Sequence, residues 1–147
     1  MAELNSRFVQ LQKAYERLCY MAETYVQLQK AAEQNGLQSL NQENELVTHR
    51  DALIKRFEFC YDLTWKYLKT ILRDQNGIEV ASPRKVFQEC YAQQLLTESE
   101  LTMLLGMTDI RNETTHTYDE AMADRVGMHI VVFYQLLLRL IAKLAPK

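Results

Sequence analysis

The sequence predicts an all-α protein, an antiparallel four-helix-type bundle with one additional short helix. Three observations predict it. Apolar residues recur at steps of three and four over most of the chain. Helix start and stop signals separate those stretches, and the apolar–polar alternation of strands is absent.

The first helix is expected over about Glu3 to Gln34, where Leu4, Phe8, Leu11, Tyr15, Leu18, Ala22 and Tyr25 share one face. Asn35-Gly36 ends it, because both tolerate the left-handed conformation that follows a helix. A polar stretch, QSLNQENE, then reads as a mobile connection. The second helix is expected from about Thr48 to Gln75, with Leu53, Phe57, Cys60, Thr64, Leu68 and Ile71 as its stripe. Tyr61, Trp65 and Leu72 widen that stripe. Glu58, Asp62 and Lys66 lie four apart on another face, where Asp62 can pair with Lys66 and the two carboxylates repel weakly.

Ser82-Pro83 starts a short third helix as N-cap and first-turn proline, with Val86, Phe87, Cys90 and Tyr91 facing the core. Thr97-Glu98-Ser99-Glu100 has the capping-box form and opens a fourth through Leu101, Leu104, Leu105 and Thr108. Thr117-Tyr118-Asp119-Glu120 repeats that spacing. It predicts a last helix through Met122, Val126, Ile130, Phe133, Leu137 and Leu140.

With 147 residues, 48% of them hydrophobic, the chain fits a single domain over 1–147 and can bury a real core, which excludes intrinsic disorder. Lys plus Arg (17) nearly balance Asp plus Glu (19), a net charge of −2. That excludes a broad basic coat, so duplex DNA is not the expected partner, while a local positive cleft remains open. Cys19, Cys60 and Cys90 form no CxxC pair and read as reduced, mostly buried thiols of a cytoplasmic protein. The segment Met128 to Leu140, interrupted by His129, Gln135 and Arg139, reads as a buried helix too short for a bilayer, so no membrane partner is expected.

The unusual segment is polar: Asp109-Ile110-Arg111-Asn112-Glu113-Thr114-Thr115-His116-Thr117-Tyr118. On one unbroken helix, residues five apart sit about 140° apart, so Arg111 and His116 would not share a face. If the fourth helix ends near Thr115 and the next begins at Thr117, the chain turns between them and both can approach one cleft. Arg111 offers a permanently charged fork of donors that matches a phosphodiester. His116 titrates near neutrality and can accept or donate a proton. Asn112 can orient a phosphate or ribose, and a helix start nearby favours an anion. RNA cleavage by this route takes a base for the 2′-hydroxyl proton, a positive group for the phosphorane and an acid for the leaving 5′-oxygen. It requires no metal or other cofactor. The same residues also fit a structural account, in which Arg111 pairs with Glu113 or Asp109 and His116 is a polar residue at a helix junction. His49 and His129 read as structural. Glu58 and Asp62 are spaced like bundle metal ligands, but no Glu-x-x-His partner accompanies them.

RNETTHTY resembles the Arg-x4-His-x-Tyr motif of HEPN-domain proteins, above all the small helical partners of minimal nucleotidyltransferases, long labelled nucleotidyltransferase substrate-binding proteins. RFEFCYDLTWKYLK at 56–69 resembles that family's second helix, SPRKVF at 82–87 the start of its third, and YDE after the histidine also fits. The resemblance implies a homodimer whose two motifs face a shared cleft, with Arg111 and His116 as the catalytic pair and Asn112 as the polar residue beside the arginine. It also implies that Tyr118 is the site a cognate nucleotidyltransferase modifies with AMP, silencing a metal-independent endoribonuclease toxin that acts on RNA. The alternative is a non-catalytic subunit in which Arg111, Asn112 and His116 bind a nucleotide or present a substrate to the nucleotidyltransferase. Members often carry a tryptophan in the helix before the motif, where this chain reads LTMLLGMTD, so one wall of the cleft differs.

Overall fold

The computed structural model describes residues 2–36, 39–116 and 119–146, and among them forms five helices and no strand. They are α1 (Ala2–Asn35), α2 (Leu40–Asn76), α3 (Pro83–Ala92), α4 (Glu98–His116) and α5 (Glu120–Lys143). Helices α1, α2, α4 and α5 make an up-and-down bundle, and α3 packs across α2 and α4. The antiparallel α1–α2 pairing is fixed by Tyr15 against Thr64 and the Cys60 thiol against the Ala14 carbonyl. Parallel neighbours α2 and α5 meet through Phe57 and Phe133, whose ring centroids are 6.4 Å apart.

The expected stripes form the core. Leu4, Leu11, Tyr15, Leu18, Ala22 and Tyr25 of α1 are buried, as are Leu53, Phe57, Cys60, Thr64, Leu68 and Ile71 of α2. So are Met122, Val126, Ile130, Phe133, Leu137 and Leu140 of α5. Phe8 and Trp65 are half-buried at the core's edge, whereas Tyr91, expected inside, is 42% exposed. Met107 and Ile110 of α4 join the core without having been expected there. Buried hydroxyls are matched. Thr64 donates to the Cys60 carbonyl at 2.6 Å, so the Tyr15 hydroxyl, 2.6 Å away, donates to Thr64 Oγ1. Cys19, Cys60 and Cys90 are free thiols, and burial pushes those of Cys60 and Cys90 up to about 12.

Two boundaries differ from expectation. The polar stretch read as a mobile connection is mostly the beginning of α2, which starts at Leu40 rather than at about Thr48. Ser39 caps it, accepting from the Gln42 amide at 3.2 Å, and the following polar side chains are exposed, so the helix needs no apolar face there. The other end matches expectation: Gly77, with φ of 65°, closes α2 in the left-handed region. The second difference lies between α4 and α5. Asp119, not Thr117, caps α5 by accepting from the Met122 amide at 2.7 Å, and the first helical residue is Glu120. Helix α5 has 24 residues, long and apolar enough to cross a bilayer by length and composition, although the apolar segment read from the sequence was shorter. Its core stripe packs against α1, α2 and α4.

Candidate functional site

Helix α4 runs unbroken through Arg111 to His116. The expected turn between them does not form, and α4 extends to His116. Thr114 and Thr115 help close that last turn, donating to the carbonyls of Arg111 and Asn112 at 2.8 and 2.7 Å. Positions 111 and 116 of one chain therefore lie about 140° apart around the axis and about 7.5 Å apart along it. A single chain does not bring the two positions onto one face. Asn112 is exposed. The His116 side chain, Thr117 and Tyr118 lie outside the described residues.

Arg111 reaches α2. Its Nη1 is 3.3 Å from Glu58 Oε2 and its Nη2 is 3.7 Å from Asp62 Oδ2. The two carboxylates, one helical turn apart, straddle the guanidinium, and about four-fifths of the arginine side chain is withdrawn from solvent. Neither approach has hydrogen-bond alignment, and Nε and Nη1 are buried donors without a hydrogen-bond partner among the described residues. Glu113 and Asp109, the partners expected in the structural account, are engaged elsewhere: Glu113 pairs with Arg125 and Asp109 with Arg84. Nor does Asp62 pair with Lys66; its carboxylate is turned to Arg111.

Arg111 is held at this height by the residues one turn earlier. Thr108 donates to the Leu104 carbonyl at 2.9 Å, so the buried Tyr61 hydroxyl, 2.7 Å from Thr108 Oγ1, is the donor that ties α2 to α4. Burial pushes the Tyr61 hydroxyl above its ordinary pKa of 10.0, further still from ionising at neutral pH. Beyond Glu58 a groove of about 220 Å³ opens between the helices, lined by Asp51, Ile54, Lys55 and Glu58 of α2, Thr114 of α4 and Met122 of α5.

A second arginine fixes the start of α5. Arg50 is 2% exposed, and its Nη1 reaches Glu120 at 2.7 Å and Asp124 at 2.9 Å, while Asp51 takes its Nη2 and Nε at 3.0 and 3.1 Å. Gly127 makes room for this cluster. A Cβ there would stand 3.3 Å from the Tyr25 ring and 3.5 Å from Arg50 Cγ. Arg50, Glu58 and Asp62 were not among the expected site residues. The available signal was two carboxylates four apart on α2, opposite a polar α4 whose arginine needed a counter-charge.

His49 lies 2.9 Å from the Glu45 carbonyl through Nδ1, and exposed His129 stacks on Phe133; neither faces the groove residues. Among the described residues, no group of three or more His, Cys, Asp or Glu is placed to hold a metal.

A family model described as nucleotidyltransferase substrate binding protein like matches residues 6–146. No curated protein matches significantly. Among solved structures, the chain is similar to a protein of Thermus thermophilus at 29% identity, covering 92% of this chain and 99% of that one, with a TM-score of 0.71.

Proposed function

Because the chain belongs to the nucleotidyltransferase substrate-binding protein-like family, we propose that it is the metal-independent endoribonuclease toxin of a HEPN/nucleotidyltransferase pair, silenced by AMP addition to Tyr118. The observation that carries this reading is the state of Arg111. Its charge is fixed between Glu58 and Asp62, yet two of its donors have no hydrogen-bond partner among the described residues. A guanidinium that is positioned but not saturated, on a side chain still 21% exposed, suits an incoming phosphodiester, which the arginine meets by turning its buried donors outward.

In this mechanism Arg111 neutralises the charge that builds on the phosphorane, Asn112 orients the phosphate or ribose, and His116 transfers the proton. Attack of the 2′-oxygen on phosphorus breaks the bond to the 5′-oxygen, leaving a 2′,3′-cyclic phosphate and a 5′-hydroxyl. The spacing of positions 111 and 116 on one continuous helix supports a homodimer, because two copies around a two-fold axis can bring an arginine and a histidine to one cleft. AMP on Tyr118 adds bulk and negative charge two residues from His116, which repels phosphate. The protein is a single cytoplasmic domain over 1–147 in this reading, with a nucleotidyltransferase as its partner.

The family description itself favours one second reading, a subunit in which Arg111, Asn112 and His116 hold a nucleotide or substrate for that enzyme. Metal-free incubation of defined RNAs with unmodified protein, made without its nucleotidyltransferase, separates the two. The toxin reading expects loss of intact RNA and 2′,3′-cyclic phosphate ends, absent with folded His116→Ala. Intact RNA across a broad panel, from protein whose mass shows no adduct, would move the assignment to the binding subunit. Full silencing of Tyr118→Phe by the partner enzyme would remove the tyrosine switch.

A further inference from the structure

We infer that α2 carries a second binding site, a basic groove around Trp65 that holds single-stranded RNA running away from Arg111. On α2 the residues Lys55, Glu58, Asp62, Lys66, Lys69 and Arg73 are spaced by three and four, so all six fall within a strip about 80° wide along one side of the helix. The upper part of that strip holds Arg111. Between about 6 and 16 Å further along the axis, the strip forms one wall of a groove of about 280 Å³. Arg7 of α1 approaches from across it, and Trp65 and Glu79 also line it.

The charges in the groove are organised. One carboxylate, Glu3, accepts from Arg7 Nε at 3.2 Å and from Arg73 Nη2 at 2.7 Å, and Asp74 takes Arg73 Nε at 2.9 Å. These contacts fix and largely neutralise the two arginines. Lys66 and Lys69 have no ion pair among the described residues, so they are the cations left for a ligand, with Glu79 the one carboxylate on the lining. Trp65 is half-buried at the core's edge, and its indole N–H makes no hydrogen bond among the described residues. Free lysines beside a fixed aromatic ring are the two parts of a site for single-stranded nucleic acid: the cations meet successive phosphates and the ring meets a base. A chain with a net charge of −2 can hold RNA this way, because Lys66 and Lys69 set two cations without an ion pair among the described residues on the strip that begins at the cleavage site.

The inference rests on the reading of Arg111 as the cleavage site, but it is tested by binding. Trp65 is the only tryptophan, so intrinsic fluorescence excited at indole reports on the groove alone. The probe is a 2′-O-methyl oligouridine octamer, which cannot be cleaved by 2′-hydroxyl attack, titrated into the full chain without metal. A saturable change is expected, weakening with salt. Lys66→Gln/Lys69→Gln should bind at least about 5-fold more weakly and lose about 1 from the slope of log affinity against log salt. Trp65→Phe, followed by fluorescence anisotropy of a labelled octamer, should bind nearly as wild type, and Trp65→Ala about 5-fold or more weakly. Melting curves verify that each variant is folded. Unchanged fluorescence at saturating octamer, or wild-type affinity in the double lysine variant, would overturn the groove whether or not the protein cuts RNA. Uridine monophosphate binding as tightly as the octamer would also overturn it, in favour of a mononucleotide pocket. Octamer binding through Lys66 and Lys69 without cleavage of unmodified RNA sustains the groove and removes the RNase reading instead.

Discussion

Two arginines are held by carboxylates in the interior half of this molecule, and they are held differently. The Arg50 side chain is 3% exposed and meets three carboxylates at hydrogen-bonding distances of 2.7 to 3.1 Å. That of Arg111 is 21% exposed and meets two, at 3.3 and 3.7 Å, without aligned hydrogen bonds. Arg50 is saturated and joins the middle of α2 to the first turn of α5, so its role is to clamp. Arg111 is centred by charge and leaves two buried donors without a hydrogen bond among the described residues, and an interaction left incomplete in the free protein is one that a ligand can complete once the side chain turns outward. In the proposed function, identical chemistry, a guanidinium among acids, serves stability in one place and recognition in the other.

The comparison is broken most severely at Arg50. Arg50→Met should destabilise the fold by about 2–3 kcal/mol, since it leaves Asp51, Glu120 and Asp124 facing one another around an apolar side chain, although their exposure limits the cost. Thermal unfolding should report a fall in Tm of roughly 6–12 °C. RNA cleavage, in the proposed function, should fall only as far as the first turn of α5 shifts on α2. A variant with unchanged Tm would show that the clamp is ornamental and that apolar packing alone seats α5.

Arg111→Lys is expected to give the opposite pattern. A lysine keeps a charge between Glu58 and Asp62 but loses the fork, so stability should change by less than about 1 kcal/mol. Cleavage should drop by about 100-fold or more, the scale seen when one donor to a developing oxyanion is removed. If Tm falls as far as in Arg50→Met while turnover persists, the two arginines have been assigned to the wrong roles.

How much of this was legible in the chain can be judged residue by residue. The helical stripes were, because period and burial are the same property seen twice: Leu53, Phe57, Cys60, Thr64, Leu68 and Ile71 were placed from spacing and are all buried. The start of α2 was not, because residues 40–47 fold as helix without a strong apolar stripe, and Ser39 was not recognised as its cap. Residue type and resemblance mark the motif positions, but the spacing alone does not show that α4 continues through Arg111 to His116. Asp119 lies two residues after Thr117, and its carboxylate accepts from the Met122 amide and starts α5. The partners of Arg111 were out of reach for a different reason. Glu58 and Asp62 lie about fifty residues earlier, and only the packing of α4 against α2 selects them over the nearer Glu113 and Asp109.

Glu58→Gln sharpens the contrast from the acid side. It removes one of the two charges that compensate Arg111 while keeping the shape, so the remaining positive potential should draw phosphate more strongly. The expected result is a KM for RNA lowered about 3-fold, roughly 0.7 kcal/mol, with kcat nearly unchanged and Tm within about 1 °C of wild type. A kcat that collapses as in Arg111→Lys would instead place the Glu58 carboxylate among the groups that exchange protons with substrate.

The smallest effect belongs to the other end of α4, where a carboxylate is fully engaged, as Arg50 is. Thr97 and Glu100 form the reciprocal capping box: the Thr97 amide donates to Glu100 Oε1 at 2.8 Å and the Glu100 amide to Thr97 Oγ1 at 3.1 Å. Lys143 of α5 adds a contact to the same Oε1 at 2.7 Å. Burial alone would raise the Glu100 pKa, but Lys143 and the Thr97 amide hold it below its ordinary value of 4.5. A carboxyl lowered by folding stabilises the folded state above its unfolded pKa, and that contribution is lost as pH falls through the folded value. Glu100→Gln keeps the capping geometry and removes the charge, so its Tm should trail wild type by an amount worth less than about 1 kcal/mol at neutral pH. The gap should narrow as the pH drops below 4.5. Thr97→Ala, which removes the side-chain acceptor, should cost about 1 kcal/mol and leave that pH dependence largely in place, because Lys143 still faces Glu100. A gap between wild type and Glu100→Gln that stays constant down to strongly acid pH would show that this end of α4 is held by backbone and packing, with no contribution from the charge.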